Sequence, residues 1–234
     1  MRIAVMTDVH ANLPALRAAL AEIRKLGVDA VYHTGDVIGI GPQPAEVMEV
    51  LLGEPDVRLL MGNHDEWFAT GLPEPRPPWM TTGERRHIAW VHEQLDPALR
   101  AAVGAWPYEA EERVGAQRVK LLHYPLEGGG FARPRDLRGS AEAEALFPGE
   151  AGEIVFYGHH HPFSDLQGRA RYVNPGSLGC SREAVARFAV LEAGDPYRLT
   201  FHAVPYDPAP LVAEFRRKGV PEAEFILRNF MPGG

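Results

Sequence analysis

The sequence predicts an α/β fold whose first half is built on a largely parallel β-sheet. Three apolar, β-rich segments, at residues 2–7, 30–34 and 57–61, each end in a polar loop, and the first two loops lead into helices predicted at residues 13–26 and 44–52. Alternation of strand, loop and helix is typical of parallel strands joined by crossover helices. The carboxyl ends of such strands meet at one edge of the sheet, where α/β folds place their functional sites.

The signals for the first helices are local. The helix at residues 13–26 carries leucine and isoleucine at helical spacing and stops at Gly27, which is typical of a C-terminal cap. The second helix begins at Pro44, because proline is tolerated in the first helical turn. A chain of 234 residues suffices for a layered fold with an ample core, so we expect a single domain over residues 1–234.

The second half of the chain changes to shorter elements. Residues 71–79 are rich in proline, which predicts a long surface loop, and a helix is predicted at residues 82–95. Two strands flank a turn at Gly115 and predict a hairpin. We therefore predict two β-rich layers, one from each half of the chain. The further elements predicted are hairpin strands at 108–113 and 117–123, a loop at 124–139, a helix at 140–146, strands at 153–157, 169–173, 186–191 and 198–204, of which the last three are antiparallel, and two helices after residue 208.

Composition and charge exclude several classes of function. The formal charge of −7 gives no basic surface for nucleic acid or for an acidic membrane, so we expect neither as a partner. The single cysteine, Cys180, excludes an internal disulfide framework and a cysteine-rich zinc site, and it suits a reducing compartment. The first residues turn polar too early for a signal peptide and no stretch is long enough to span a membrane, which predicts a cytoplasmic protein.

Metal-ligand side chains recur where the predicted strands end. The clearest group follows the strand at 153–157: in extended backbone His159 and His161 point the same way, while His160 faces elsewhere. One His or Asp after a strand is usually a cap or turn residue, whereas a set of them is hard to explain in that way. The full set is Asp8, His10, Asp36, Asn63, His64, His123, His159 and His161.

This set of donors predicts a metal centre. Mixed nitrogen and oxygen ligands suit Mn²⁺, Fe or Zn²⁺ better than Ca²⁺ or Mg²⁺ alone. Seven of these eight side chains as ligands already exceed what one ion takes from protein. Two ions about 3.5–4 Å apart, bridged by one carboxylate, use the donors economically and leave positions open for water and substrate.

The ordered donor blocks resemble those of a known family, the calcineurin-like metallophosphoesterases. The family pattern is Asp-x-His, Gly-Asp, Gly-Asn-His-Asp/Glu, a lone His and Gly-His-x-His. It is matched here at residues 8–10, 35–36, 62–65, 123 and 158–161. Each block alone is weakly specific, whereas all five in order are a strong signal.

Longer stretches around these blocks resemble the small bacterial and archaeal phosphodiesterase-like branch of the family. They are Asp8 to Leu13, Gly35 to Gly39, and Asn174-Pro175-Gly176-Ser177. The likeness runs from the first strand to at least Ser177. The Asn174 to Ser177 segment is also a strong turn signal, so it is equally interpretable as a structural turn beside the site.

The resemblance implies a four-layer α/β/β/α sandwich of two mixed sheets flanked by helices. It also implies two divalent ions, with Mn²⁺ favoured and Fe, Zn²⁺ or Ni²⁺ as alternatives. By resemblance, a hydroxide held between the ions attacks a phosphodiester in line, His64 protonates the leaving group, and Asp65 fixes the tautomer of His64 and keeps it protonated. The implied ligands are Asp8, His10 and His161 for one ion, Asn63, His123 and His159 for the other, and Asp36 as the bridge.

Two other functions fit the same residues. A phosphomonoesterase or a nucleotide polyphosphate hydrolase would use the same metal site, and only the outer pocket distinguishes them from a phosphodiesterase. In each case the partner is a small phosphate ester or a nucleotide-type substrate. A third reading is a non-catalytic scaffold of the same fold that binds another protein. The seven ligand positions and His64 are all filled, which argues against an eroded site.

Several residues keep two interpretations. Trp67, Phe68, Trp79 and Trp90 line a substrate cleft or, as is more usual for such aromatic residues, pack in the core. Cys180 is interpreted as a small buried hydrophobic residue rather than as a nucleophile, since no histidine is close to it in sequence.

The loops at 71–79 and 124–138 are candidates for contacts to the remote part of the substrate, because guanidinium groups suit phosphate. The arginines of the second loop, Arg133, Arg135 and Arg138, are more readily explained as solvated charges. The chain departs from the family at Ala11 and Tyr124, where glycine is frequent, and both changes would reshape the phosphate pocket without removing a ligand.

Overall fold

The computed structural model describes residues 1–135 and 137–232, and its centre is a pair of five-stranded β-sheets. Asp136, within the predicted loop at 124–139, lies outside the described residues. The strands are β1 (Arg2–Met6), β2 (Ala30–His33), β3 (Val57–Leu59), β4 (Glu109–Val114), β5 (Gln117–Leu122), β6 (Leu126–Glu127), β7 (Gly130–Phe131), β8 (Ile154–Phe156), β9 (Ser164–Gln167), β10 (Arg171–Asn174), β11 (Val185–Glu192) and β12 (Arg198–Pro205). The helices are α1 (Leu13–Leu26), α2 (Pro44–Leu52), α3 (Asn63–Thr70), α4 (Thr82–Glu93), α5 (Leu99–Gly104), α6 (Ser140–Leu146), α7 (Ala209–Arg217) and α8 (Ala223–Phe230).

The first sheet has the strand order β12-β11-β1-β2-β3. The predicted parallel core is confirmed, because β1 pairs with β2 and β2 with β3 in parallel. The prediction that each half of the chain forms its own layer is wrong. β11 pairs antiparallel with β1, and β12 pairs antiparallel with β11, so the last two strands complete the first sheet.

The second sheet has the strand order β4-β5-β8-β10-β9. The predicted hairpin of β4 and β5 is confirmed. The prediction that the strand at 169–173 is antiparallel is correct for its pairing with β9 and wrong for its pairing with β8, which is parallel. The edge strand β9 was missed, because its sequence Ser-Asp-Leu-Gln offers no apolar run. Both sheets are therefore mixed.

The layers form a four-layer α/β/β/α sandwich, as expected. One face of each sheet contributes to a shared apolar core, with Ile3 and Tyr32 from the first sheet and Leu121, Phe156 and Val173 from the second. The outer face of the first sheet packs against α1 and α2, and that of the second sheet packs against α6.

Four further elements were not predicted, two helices and two short strands. The segment after β3 is a helix, α3, whose first residues are Asn63, His64 and Asp65, with Gly62 as the N-cap. α5 was missed as well, and the predicted loop at 124–139 contains the short antiparallel pair β6 and β7. The helix at 82–95 is confirmed as α4, which ends two residues earlier.

Across the two described ranges, the structure contains no helix of the length and apolar character needed to cross a membrane. The cytoplasmic location stays a prediction.

Two adjacent leucines of α2 provide a test of this layered packing. Leu51 is 1% exposed and packs in the core beside the first sheet, whereas Leu52 is 48% exposed. We expect Leu51→Ala to lower the free energy of unfolding by about 2–5 kcal/mol, because it leaves a cavity in the core. Leu52→Ala is the matched control and should change it by less than about 0.5 kcal/mol. Urea denaturation measures both, and similar losses in the two variants would contradict the described packing.

Candidate metal centre

The loops that follow β1, β2, β3, β5 and β8 meet at one end of the sandwich. Backbone hydrogen bonds tie them together: the Asp8 amide donates to the Gly35 carbonyl at 3.1 Å, and the Gly158 amide donates to the His123 carbonyl at 2.9 Å. The loops of both sheets therefore form one site.

Left-handed backbone is concentrated in these loops. In the described residues seven non-glycine residues have positive φ, among them Asp8 at 53°, His10 at 45°, Asp36 at 59° and His159 at 68°. This region is rare for residues that carry a Cβ, and it persists only where surrounding contacts impose it. The extended backbone predicted through His159 is wrong, because the strand ends at Phe156 and the chain turns sharply at His159.

The first group of donors surrounds His10. Its Nε2 lies 3.6 Å from Asp8 Oδ1, 3.7 Å from Asp36 Oδ2 and 3.1 Å from His161 Nε2. His161 Nε2 is itself 3.9 Å from Asp8 Oδ1. The structure thus brings together the three residues that the sequence assigned to one ion.

The second group of donors surrounds His123. Its Nε2 lies 3.4 Å from Asp36 Oδ2 and 3.2 Å from Asn63 Oδ1. Donor atoms of Asp36, His123 and His159 all lie within 4.8 Å of one another. Asp36 therefore reaches both groups, as a bridging carboxylate must.

The histidine tautomers fit a cation. His10 Nδ1 donates to the Ile38 carbonyl at 3.3 Å and His123 Nδ1 donates to the Thr34 carbonyl at 2.9 Å. A proton held on Nδ1 leaves the Nε2 lone pair facing the carboxylates, which is how metal-binding histidines are usually oriented. His159 Nε2 is buried and has no hydrogen-bond partner in the described part of the chain. A buried nitrogen of this kind is costly unless something binds it.

The electrostatics of the site also favour binding of a cation. Burial opposes ionisation of Asp8 and Asp36, but the neighbouring histidines outweigh it and hold the pKa of both carboxyls below the ordinary value. Burial also opposes protonation of His123, yet Asp36 raises its pKa to about 9. The buried carboxylates thus hold positive charge at this site, which a bound cation would supply instead.

Cys180 lies closer to the donors than the sequence indicated. Its sulfur lies within 4.8 Å of donor nitrogens of His10 and His161, although these residues are far from it in sequence. The side chain is buried, as expected, and burial raises the pKa of its thiol well above the ordinary value. The turn from Asn174 to Ser177 places it there: Ser177 Oγ donates to the Asp8 carbonyl and accepts from the Cys180 amide, both at 2.7 Å.

His64 borders the same site from the first turn of α3. Its amide donates to Asp36 Oδ1 at 2.9 Å, and its ring lies 5.3 Å from that of His10 between centroids. Burial lowers the pKa of His64 to about 3, with Asp36 opposing the shift. Its Nδ1 is buried without a partner in the described residues.

The role expected for Asp65 is corrected by the structure. In the described residues His64 Nδ1 has no hydrogen-bond partner, so the Asp65 carboxylate neither fixes that tautomer nor keeps the ring protonated. Instead it accepts backbone N–H groups from the β2 loop and from Gly62. These come from Asp36 at 2.8 Å, Gly62 at 3.1 Å, Val37 at 3.1 Å and Ile38 at 3.2 Å. Burial, followed by repulsion from Asp36, raises the pKa of Asp65 to about 7.

A cleft of about 1120 Å³ opens from the donors to the surface. The loops predicted at 71–79 and 124–138 both line it, the second through Arg133. Trp67 and Trp79 face the cleft, whereas Phe68 and Trp90 pack in the core.

Tyr124 and Arg135 both lie in the segment predicted as a loop at 124–139. Tyr124, one of the departures from the family, contacts His160 Nε2 through its hydroxyl at 3.2 Å and packs its ring on His159, with centroids 4.6 Å apart. The Arg135 side chain pairs with Glu127 and not with the cleft.

Asp65→Asn tests the organising role of this carboxylate. The amide group of asparagine accepts through one oxygen only, so buried backbone N–H groups lose their partner, and we expect the free energy of unfolding to fall by about 1–3 kcal/mol. The matched control is Glu66→Gln, whose carboxylate accepts a single bond from Tyr108. Denaturation and metal content measure the effect. Equal stability of the two variants would mean that the amide network does not hold the loop.

Comparison with known proteins agrees with this geometry. The family model for the calcineurin-like phosphoesterase superfamily domain matches residues 1–195. A metallophosphoesterase of Sphaerobacter thermophilus is 25% identical, with a TM-score of 0.70 over 98% of this chain and 97% of that one. Hypothetical protein PH1004 of Pyrococcus horikoshii OT3 has the same fold, with 21% identity and a TM-score of 0.79 over 100% of this chain and 98% of that one.

Among curated proteins, the symmetrical bis(5'-nucleosyl)-tetraphosphatase of Paracidovorax citrulli is 30% identical over 125 residues, which are 53% of this chain and 43% of that enzyme. The two chains thus match over about half their length. Together with the family match, which covers all of the candidate donors, these findings place the chain in a group of metal-dependent phosphoric ester hydrolases. The chain belongs to the calcineurin-like phosphoesterase superfamily.

Proposed function

We propose that this protein is a phosphodiesterase that works with two divalent metal ions, with Mn²⁺ as the favoured metal and Fe, Zn²⁺ or Ni²⁺ as alternatives. The observation that carries the proposal is the position of Asp36, whose Oδ2 lies 3.7 Å from His10 Nε2 and 3.4 Å from His123 Nε2. One carboxylate shared by two donor groups is the arrangement that a dinuclear centre requires.

The ligands follow from these groups. Three further donors complete each group around Asp36, and mixed nitrogen and oxygen ligands suit the metals named. The proposed ligands are Asp8, His10 and His161 for one ion, Asn63, His123 and His159 for the other, and Asp36 for both. When bound, such ions lower the pKa of a water and neutralise phosphate oxygens.

The chain's own residues supply the remaining chemistry. His64 borders the cleft next to Asp36 and donates a proton to the departing oxygen as the ester bond breaks. Burial lowers the pKa of His64 in the protein alone, and a general acid must carry its proton when the ester bond breaks. Asp65 is a positioning residue, because its hydrogen bonds to the β2 loop hold Asp36 between the two donor groups.

A second candidate is a nucleotide polyphosphate hydrolase, which the similarity to the symmetrical bis(5'-nucleosyl)-tetraphosphatase favours. A scaffold without catalysis is disfavoured, since all seven donor positions are filled and converge.

Asp36→Asn tests the dinuclear centre. Removing the shared charge weakens both groups at once, so we expect turnover of a chromogenic phosphodiester to fall by more than the roughly 10–100-fold typical of outer partners. Metal content of the Mn²⁺-loaded protein should fall in parallel. The matched control is Asp29→Asn, a surface aspartate that accepts the Arg2 amide. Unchanged hydrolysis and unchanged metal content would refute the assignment, and turnover of the monoester alone would favour a phosphomonoesterase.

His64→Ala tests the proton donor through the leaving group. Without the acid an alkoxide must depart unprotonated, so we expect diesters with alkyl leaving groups to lose about 10²–10⁴-fold in kcat. A p-nitrophenyl leaving group departs readily without a proton and should lose much less. The control is His202→Ala, a histidine on β12 that stacks on Phe188. An equal loss for both leaving groups would assign His64 to binding and not to proton transfer.

A further inference from the structure

An aromatic wall begins directly at His64. We use this name for Trp67 and Trp79. The Trp67 ring lies 4.9 Å from the His64 ring, and the Trp79 ring lies 6.2 Å from that of Trp67 with 30° between their planes. Both tryptophans line the cleft, to which α8 adds Phe225 and Phe230.

The aromatic wall is not needed for the core. The neighbouring Phe68 is fully buried, whereas Trp79 is 39% exposed and Phe225 is 58% exposed. Exposed aromatic surface next to a polar site is typical of a surface that binds an apolar or planar group.

The position of the wall relative to His64 identifies the part of the substrate that it meets. In-line displacement puts the departing group on the side of phosphorus away from the attacking water, and His64 is the proposed donor to that group. The departing group therefore lies along the path from His64 to Trp67 and on to Trp79.

The charge of the cleft limits the substrate further. Among the described residues, and beyond the donor residues and His64, its charged lining consists of three glutamates, Glu66, Glu84 and Glu222, and one arginine, Arg133. In the described part of the chain Arg86 pairs with Glu222, the Glu66 carboxylate accepts from the Tyr108 hydroxyl, and the Glu84 carboxylate accepts from the Thr81 amide at the start of its own helix. A polyphosphate chain that extended past the metal centre would meet these carboxylates, and like charges repel.

We infer that the substrate is a phosphodiester of single negative charge whose departing group is a nucleoside or another planar aromatic alcohol that stacks on Trp67 and Trp79. The inference rests on the proposed phosphodiesterase function and narrows it. It disfavours dinucleoside polyphosphates, including the class cleaved by the relative from Paracidovorax citrulli. The step is hydrolysis: the oxygen of water bonds to phosphorus and water releases one proton, the bond between phosphorus and the departing oxygen breaks, and that oxygen takes a proton from His64, which the proton released by water replaces.

The test compares three substrates on the Mn²⁺-loaded protein: a dinucleoside monophosphate, glycerophosphoglycerol and a dinucleoside tetraphosphate. We expect the highest kcat/KM for the dinucleoside monophosphate. Trp79→Ala should lower that value by roughly 5–150-fold, since stacking of one base on an aromatic side chain is of that strength. Trp79→Phe should restore most of it, and kcat/KM for glycerophosphoglycerol, which has no planar group, should fall much less than that for the dinucleoside monophosphate.

The matched control is Phe201→Ala, which removes an aromatic side chain of similar exposure, 38%, that packs on Phe163 away from the cleft. An equal effect of Trp79→Ala on both diesters, or a preference for the tetraphosphate, would overturn the inference while leaving the metal-dependent hydrolase intact.

Equilibrium binding separates this inference from the proposed function. Adenosine 5'-monophosphate should quench tryptophan fluorescence of the metal-loaded protein and bind at least about 5-fold more tightly than ribose 5-phosphate, with the difference lost in Trp79→Ala. If no diester is hydrolysed, the proposed function fails, and this binding difference still decides whether the aromatic wall holds a base. Equal affinity for adenosine 5'-monophosphate and ribose 5-phosphate would contradict stacking of a base on the aromatic wall.

Discussion

The candidate site depends on one buried carboxylate. Asp65 accepts N–H groups from three successive residues of the β2 loop and from Gly62, and it thereby joins the loops that follow β2 and β3. These loops carry Asp36 and Asn63, so the same contacts set the distance between the shared carboxylate and one of its partners. A carboxylate with this many backbone donors is rigid, which is what a preorganised site requires.

The short helix α3 connects this anchor to the chemistry. Asp65 lies in its first turn, His64 precedes it, and Trp67 follows two residues later, facing the cleft. Helical spacing therefore puts loop anchor, proton donor and aromatic surface on one rigid element. Glycine at the N-cap, Gly62, allows the start of α3 to lie close to the β2 loop, because a side chain there would collide with the backbone of Asp36.

Much of the donor set could be predicted from the sequence because each donor follows a strand, and strand ends are easily located by their apolar runs. The position of a residue along a strand can be predicted from its neighbours in sequence. The sheet that β11 joins cannot, because its pairing with β1 depends on contacts between residues far apart in the chain. The prediction of one layer per half failed for this reason.

The errors in the site have a similar origin. Asp65 was expected beside the His64 ring, but neighbours in a helix point about 100° apart, and the carboxylate turns to the loop amides instead. The proximity of Cys180 to His10 depends on a turn that packs against β1, which no local pattern reveals. His159 departs from extended backbone because its amide donates to the Asp8 carboxylate at 3.2 Å.

The pairing of β1 with β11 also bears on how the chain folds during synthesis. Arg2 pairs with Glu192, so the central strand of the first sheet lacks one neighbour until β11 has left the ribosome. Contacts so distant in sequence make folding slow and leave strand edges open in the meantime. Assembly of the donor loops around Asp8 therefore waits for β11, although Asp8 precedes that strand by most of the described chain.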